Sequence, residues 1–386
     1  MKAGRLFLIF ASLLFGVAIS GSAQSKVGDV TYLEGGVLVQ REGQALDQSQ
    51  VQTGLTIANF DLVRTASDGL AEVSVNNPKV PAMTIKVSPR TQFSFELSKL
   101  EAKQETSVGF SGGSISLKVA KLAGDQDLNV VLDSAVMGVR GTDFTVTTVP
   151  SGDLLVLCRE GDVVLTDETG KEVHAIPGTA IEKLAGGRFD TLEVGSADPD
   201  DFLRKWEQAR SAALKADALA VIQREVQSYD RLTDEFAEEY AALKEKNAIL
   251  ARWEAEDKGA GAATGIDLEK ERAEIADLLI DLRETQFLLE RVYFRLLGLK
   301  DYHDQGFGRG ELGRGVSTAA FFERFERDST ELEREMAAVR AAVRLLVKRS
   351  NGVDPTAIVD LKKFMGRRLV HLKRMEQKHL NAKKRT

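Results

Sequence analysis

The sequence predicts a multidomain β plus α protein, in which an all-β region precedes a region of long helices. Up to about residue 194, apolar residues alternate in short segments separated by glycine, asparagine, aspartate and proline, which is typical of half-buried strands and their turns. From residue 198 onward, apolar residues recur every three or four positions, which is the period of an amphipathic helix. We therefore expect a β-domain over residues 24–197 and an α-helical region over residues 198–386.

The first residues have the pattern of a secretory signal peptide. Lys2 and Arg5 supply the positive charge, residues 6–19 form an apolar run, and the small residues 21–23 suit a cleavage site. The apolar run is shorter than the roughly 20 residues that span a bilayer, and an uncleaved anchor is the alternative. We expect residues 1–23 to be removed and the protein to be periplasmic or extracellular.

The β-domain is predicted to contain many short strands, spaced by about 8–12 residues. Phe93, Phe95 and Leu97 show the alternation most clearly, and no helix of useful length fits between the strands. Turn-forming residues separate the segments. They include Glu42-Gly43, Asp68-Gly69, Asn76-Asn77-Pro78, Ser111-Gly112-Gly113, Ser151-Gly152-Asp153 and Thr169-Gly170. A sandwich, a barrel or a solenoid fits this pattern.

The helical region begins with a strong start signal, since Asp198 can cap a helix and Pro199 suits its first position. A small-residue linker at residues 258–265 separates the first helical pattern from a second, which runs from about residue 267 to 297. A glycine-rich loop is then expected up to about residue 316.

A third helix carries a heptad seam, and a fourth follows Asp354-Pro355. The seam consists of Phe322, Phe325, Ser329, Leu332, Met336, Val339, Val343 and Leu346. The stripe of the fourth helix consists of Ile358, Leu361, Met365, Leu369 and Leu372. Long helices joined by short breaks predict an antiparallel hairpin or bundle with coiled-coil character. The narrow stripes also leave faces through which the chain could form a homo-oligomer.

The net charge of −6 favours no particular partner, but it conceals a basic C-terminal tail. From Ala337 to the end the sequence has 14 Lys and Arg against three Asp and Glu. A solvated basic helix face is one interpretation, and contact with an anionic surface is the other. We expect no nucleic-acid partner.

The candidate nucleophiles do not form a catalytic motif. Cys158, the single cysteine, lies in a strand-like run, where a buried and inert thiol is expected. The segment GFSGG at residues 109–113 partly matches the nucleophile motif of serine hydrolases, but we expect it in a β-turn rather than on a strand-to-helix elbow. We therefore predict no catalytic residues and no enzyme.

The cofactor and metal motifs in the sequence also give little support for a functional site. Gly308, Gly310 and Gly313 fit G-x-G-x-x-G but follow a predicted helix rather than a strand, so we interpret them as a connection. The histidines are scattered, and the aspartates near residue 200 suit a helix start. These residues are His174, His303, His371, His379, Asp198, Asp200 and Asp201. We expect no cofactor and no metal site.

Several segments in order resemble the FecR domain. They are VGDVTYLEGGVLVQREG, LVRTASDGLAEVSV, SAVMGVRGTDFTV and LLVLCREGDVVLTDETGKEVHAIPGTAIEK, together about residues 27–183. The matching positions are Gly28, Val30, Gly35, Val37, Thr65, Gly69, Ala71, Val139, Arg140, Gly141, Thr142, Phe144, Gly161, Val163 and Gly178. Asn59-Phe60-Asp61 departs from the Gly-Asp that is usual in the family.

The resemblance implies an extracytoplasmic interaction module with a β-rich fold. In the family's iron-transport regulators, a cytoplasmic segment and a membrane span precede this domain, and we expect this chain to lack them. We therefore predict an exported, non-enzymatic scaffold or adaptor for a protein or a cell-wall polymer. The alternative is a sensor component of FecR-type transmembrane signalling that works through a separate membrane partner.

The motif in the third of these segments has two interpretations. Its residues are Val139, Arg140, Gly141, Thr142, Asp143 and Phe144. As architecture, Gly141 allows a bend or a close backbone approach, and Arg140 satisfies carbonyl groups or pairs with Asp143. As a site, Arg140 or Asp143 contacts a partner directly.

Overall fold

A computed structural model of the chain describes residues 26–77, 80–100, 103–120, 127–195, 198–261, 267–313, 315–358 and 363–367. The predicted signal peptide and the tail beyond residue 367 lie outside these ranges. A β region over residues 26–193 is followed by long helices, which confirms the predicted fold class.

The described part of the β region contains seventeen strands and no α-helix. They are β1 Lys26–Glu34, β2 Val37–Arg41, β3 Gln44–Ala45, β4 Thr56–Ala58, β5 Leu62–Thr65, β6 Leu70–Val75, β7 Met83–Val87, β8 Gln92–Leu100, β9 Lys103–Val119, β10 Asp127–Val131, β11 Ala135–Val139, β12 Asp143–Thr148, β13 Leu154–Glu160, β14 Val163–Asp167, β15 Glu172–Ala175, β16 Thr179–Lys183 and β17 Phe189–Glu193.

The strands form two sheets that share the long strand β9. The first sheet has the order β4-β1-β6-β7-β9-β12-β13-β16-β17. The second has the order β3-β2-β5-β8-β9-β10-β11-β14-β15. Neighbours are antiparallel except β9 and β10, which are parallel. Residues from both sheets, such as Ile85 and Phe93, share one apolar core, so the β region is sandwich-like.

The turn predicted at Ser111-Gly112-Gly113 is wrong, because these residues lie inside β9. The strand passes there from the second sheet to the first. Its residues up to Gly112 pair with β8, and those from Gly113 onward pair with β12. Gly113 has a φ of +97°, which residues with a side chain rarely adopt, so the glycine marks the bend. The segment GFSGG is therefore part of a strand.

Other connections also pass between the two sheets, and four of the crossing points stack in a column. Residues 35–36, 66–69, 88–91 and 112–114 form this corner column. Ala66 N–H donates to Gly36 O at 2.8 Å, Arg90 N–H to Ala66 O at 2.9 Å, and Ser88 N–H to Ser114 O at 3.0 Å. Repeated corners of this kind give one edge of the sandwich a solenoid-like character.

The helical region contains α1 Pro199–Lys244, α2 Asn247–Asp257, α3 Leu268–Asp304 and α4 Thr318–Arg349. A short hairpin of β18 Glu311–Gly313 and β19 Val316–Ser317 precedes α4. The predicted start of α1 is confirmed, since the Asp198 side chain accepts a hydrogen bond from Asp200 N–H. The division into domains at this point stays a prediction.

The predicted end of the second long helix is wrong, because α3 continues to Asp304 and shortens the glycine-rich loop. Gly298 lies inside the helix against Pro150 of the β region. A β-carbon at position 298 would lie 2.7 Å from Pro150 Cγ, so glycine permits this close contact. Tertiary packing here outweighs the low helix propensity of glycine.

The heptad seam of α4 packs within the chain, in a core shared with α1, α2 and α3. Its residues are buried except Ser329, which is half-buried. Self-association through the helices stays a prediction. In the described part of the fourth helical segment, residues 363–367, Phe364 is fully buried against Phe287, whereas Met365 is 42% exposed. The expectation that Met365 lies on the buried stripe is wrong, because Phe364 fills the gap beside α3.

Candidate functional site

The motif at residues 139–144 forms a corner between the two sheets. β11 ends at Val139 in the second sheet, and β12 begins at Asp143 in the first. Gly141, between them, has a φ of +64°. Thr142 O accepts a hydrogen bond from Val119 N–H at 2.8 Å, which fixes the corner against the end of β9.

A second corner lies directly on the first. Gly161 connects β13 of the first sheet to β14 of the second. A β-carbon at position 161 would lie 2.7 Å from Thr142 Cγ2 and 2.9 Å from Gly141 O. The two glycines therefore let two crossing points pack at van der Waals distance. In this position the motif has a structural role, because it forms one of the two packed corners.

The side chain of Arg140 is available for contacts outside the domain. It is exposed, and no described carboxylate, including that of Asp143, lies within ion-pair distance of it. Asp143 is half-buried, while Val139, Thr142 and Phe144 are buried. The motif thus presents one free cation at a corner that is otherwise packed.

A large cavity lies at the opposite end of the first sheet from the motif. It is a cleft of about 890 Å³ between the corner column and the helices α1 and α3. β12 begins at the motif and ends at the cleft, about 17 Å away at the usual rise per residue of a strand. The motif residues do not line the cleft.

Beside the cleft, α3 packs tightly onto the β region. Phe294 lies on Gly112 at the bend of β9, and Gly298 lies on Pro150. A small residue at each point lets the helix approach the sheet closely. Side chains from both halves of the chain therefore form the walls.

Buried ion pairs hold the same interface together. Arg283 of α3 pairs with Glu96 of β8, and Arg340 of α4 pairs with Glu290. Arg340 also donates to Gln40 Oε1 of β2 at 2.7 Å. Burial raises the pKa of Glu290, but the guanidinium groups of Arg340 and Arg283 outweigh this, so that its pKa lies below the ordinary value.

Two further arginines of α3 contact the β region. Arg291 is buried, donates to Val131 O at 2.9 Å and lies over the ring of Phe287. Burial lowers the pKa of Arg291 to about 10, so that it stays a cation at neutral pH. Arg295 joins three elements, since it donates to Asp133 at 2.6 Å and to Glu225 of α1 at 2.8 Å.

Sequence reasoning missed this interface. The charges of α3 and α4 follow the pattern of solvent-facing flanks beside a narrow stripe, and the pattern carries no sign of the sheet that covers them. The signal that could have found it is the excess of arginine over lysine in α3 and α4. Arginine suits buried pairs because its planar guanidinium group forms two parallel hydrogen bonds to a carboxylate.

The N-terminal part of α1, residues 199–216, lies against the first sheet and is called the α1 arm. Trp206 is buried and donates from Nε1 to Glu182 Oε1 of β16 at 2.6 Å. Asp200 pairs with Arg159 of β13. At Asp217 the backbone leaves helical geometry, with φ −121° and ψ 21°, and α1 packs in the helical core from Leu214 onward.

The glycine-rich loop crosses α1 just after the kink. A β-carbon at Gly308 would lie 2.5 Å from Ile222 Cδ1, and one at Gly310 would lie 2.7 Å from Leu219 Cδ2. The loop follows α3 and leads into the hairpin β18–β19, so it lacks the strand–loop–helix context of a dinucleotide site. Gly308 and Gly310 thus allow the loop to pack closely on α1.

The other candidate groups have structural surroundings. Cys158 is buried, and burial raises its pKa to about 11. His303 Nε2 lies 3.1 Å from Thr318 Oγ1, and exposed His174 lies beside Asp162. His371 and His379 fall outside the described residues. Among the described residues no group of His, Cys, Asp and Glu could hold a metal ion, and no helix is long and apolar enough to cross a membrane.

One family model matches part of the β region. The family model described as FecR protein matches residues 61–164, from β5 into β14, which confirms the resemblance found in the sequence. No curated protein matches the chain.

Two crystal structures of a candidate anti-sigma factor from Parabacteroides distasonis ATCC 8503 are similar to part of the chain. Both are 14% identical, with TM-scores of 0.31 and 0.30, and both matches cover 37% of this chain. The matches span 64% and 63% of those chains, which is less than two thirds of their length. A likeness of this extent carries no argument about function.

Proposed function

Because residues 61–164 form a FecR domain, we propose that this protein is a sensor component of FecR-type signalling, acting outside the cytoplasm by binding rather than by catalysis. The observation that carries the proposal is the cleft, because the FecR domain supplies one wall and the helices supply the other. A ligand or partner segment in the cleft would contact both halves of the chain.

The α1 arm gives such binding a way to act at a distance. The arm joins the wall of the cleft to the helical core through the kink at Asp217. A ligand that prefers one arm position shifts the population of arm positions, and the core helices then present a different surface. A separate membrane protein that reads this surface is the proposed partner.

The surroundings of Cys158 support binding over catalysis. A thiol whose pKa is raised to about 11 holds its proton at neutral pH and is a poor nucleophile. The pattern of residues 1–23 supports the proposed location, since it is that of an export signal.

A scaffold or adaptor for an envelope protein or cell-wall polymer is the second candidate. The 46 residues of α1 favour it, because they would reach about 69 Å as a straight helix. The exposed guanidinium of Arg140 offers a contact point at the other end of the β region.

Transcript profiling in the native host separates the two candidates. Strains that lack the gene, or that carry Ser211→Trp to fill the cleft, are compared with wild type. If the protein is a signalling component, we expect the same small set of transcripts to change in both strains relative to wild type. A scaffold predicts unchanged transcripts together with loss of the protein's retention on isolated cell wall, and that result would overturn the signalling proposal.

A further inference from the structure

Among the basic side chains that line the cleft, Arg210 of the α1 arm has the weakest pairing. Arg64 pairs with Glu333 at 2.7 Å, Arg90 with Asp301 at 2.8 Å, and Lys300 with Glu326 at 2.9 Å. Arg295 is held by two carboxylates. These cations are already neutralised within the protein.

Arg210 has one described carboxylate within reach, that of Asp153, at 4.0 Å. Asp153 already accepts hydrogen bonds from the Ser151 hydroxyl at 2.8 Å and from Ala185 N–H at 2.9 Å. The Nε of Arg210 is buried and has no hydrogen-bond partner among the described residues. A buried donor without a partner costs free energy. The weak pairing at 4.0 Å also leaves the terminal guanidinium nitrogens for an anion in the cleft.

Glu207 provides the opposite charge on the same helix face. It lies three residues before Arg210, so the two side chains are neighbours on the helix surface. No described base lies within ion-pair distance of its carboxylate, and burial raises its pKa. An incoming cation would lower that pKa and stabilise the charged form.

The rest of the cleft suits an apolar group. Leu203, Leu214 and Phe294 line it beside the two charges, and Ser211 and Tyr302 form a hydroxyl pair at 3.0 Å. A volume of about 890 Å³ lies in the range of roughly 300–1,000 Å³ that is usual for small-ligand sites.

We propose that the cleft binds a small zwitterion with an apolar side chain, that is, an amino acid or a short peptide with free ends. Its carboxylate lies on Arg210, its ammonium group lies on Glu207, and its side chain lies against Leu203, Leu214 and Phe294. Only the interpretation of this ligand as a signal rests on the proposed function. Binding to the purified protein is measured apart from any response in the cell, so either can fail alone.

The test is calorimetric titration of the purified full chain with the dipeptide Phe-Leu. The same dipeptide with an acetylated N-terminus and an amidated C-terminus serves as the matched ligand control. Octanoate, which has the carboxylate and the apolar chain but no ammonium group, separates a simple anion from a zwitterion.

We expect Phe-Leu to bind, and the capped dipeptide and octanoate to bind at least about tenfold more weakly, as the loss of a charge-assisted hydrogen bond implies. Arg210→Gln and Glu207→Gln should each weaken Phe-Leu to a similar degree. Arg204→Gln, an exposed position on the same helix outside the cleft, should leave the affinity unchanged. Circular dichroism checks that each variant is folded.

The proposal would be overturned by the absence of Phe-Leu binding to the wild-type protein, by equal affinity for the capped dipeptide, or by unchanged affinity in folded Arg210→Gln. Octanoate binding as tightly as Phe-Leu, with no effect of Glu207→Gln, would reject the zwitterion and leave a simple anion site.

Discussion

Phe294 of α3 lies directly on Gly112 at the bend of β9, where a β-carbon at position 112 would lie 2.6 Å from Phe294 Cδ1. This contact joins the strand shared by both sheets to the helix that carries the buried arginines. The β region and the helical region therefore meet at a fitted interface, and the cleft beside it has walls from both.

Gly112→Ala should destabilise the protein, because the added methyl group overlaps the ring of Phe294. Overpacking of this kind costs about 1–3 kcal/mol in the free energy of unfolding. Gly138→Ala in β11 is the matched control, since its added β-carbon meets no atom within 4 Å. Urea unfolding measures both variants, and equal stability losses would contradict the close contact.

Arg283→Ala should be strongly destabilising, because it leaves Glu96 without its cation at an interface that also contains Glu290. Removing one partner of a buried pair costs about 3–5 kcal/mol. Arg204→Ala removes an exposed pair with Asp201 and should change the free energy of unfolding far less. Similar losses of stability in the two variants would contradict a strong contribution from the buried pair of Arg283 and Glu96.

Gly141→Ala should destabilise the corner of the motif, because a left-handed backbone costs a residue with a β-carbon about 1–2 kcal/mol. Arg140→Ala at the exposed neighbouring position should change stability by less than about 0.5 kcal/mol. Thermal unfolding of both variants tests this division. A large loss in Arg140→Ala would instead give the arginine a structural task.

Cys158 should react slowly with iodoacetamide in the folded protein. Its pKa is raised to about 11 from an ordinary 9.0, so near pH 8 the thiolate fraction is about 100-fold lower than in the unfolded chain. Because folding favours the neutral thiol, the thiol stabilises the folded protein fully below pH 9, and this stabilisation is lost as the pH rises towards 11. Mass spectrometry with and without urea measures the two alkylation rates, and equal rates would contradict the burial.

Local patterns in the sequence determine much of the fold. The alternation of Phe93 and Phe95 and the Asp198-Pro199 start signal depend only on neighbouring residues, and the structure confirms both. The sharing of β9 between the two sheets was not predictable, since Gly112-Gly113 is as typical of a turn between two strands as of a bend within one strand. Choosing between a turn and a bend depends on β7 and β12, which are distant in sequence.

The cleft could not be predicted for a similar reason. Arg210 and Glu207 look like ordinary charges on a solvated helix, and only the tertiary structure shows that they face a cavity with weak or no pairing. In the same way, the charges of Arg283 and Glu290 suggest solvent until the sheet covers them. Burial of charge is a property of the assembled chain.

Hydrogen exchange of the full chain across a urea series tests whether the β region and the helices unfold as one unit joined through α3. Peptides from β9, Lys103–Val119, and from residues 287–299 of α3 are followed by mass spectrometry. We expect both to lose protection at the same urea concentration. Loss of protection in α3 while β9 stays protected would show that the halves are independent, and would contradict a cleft with two fixed walls.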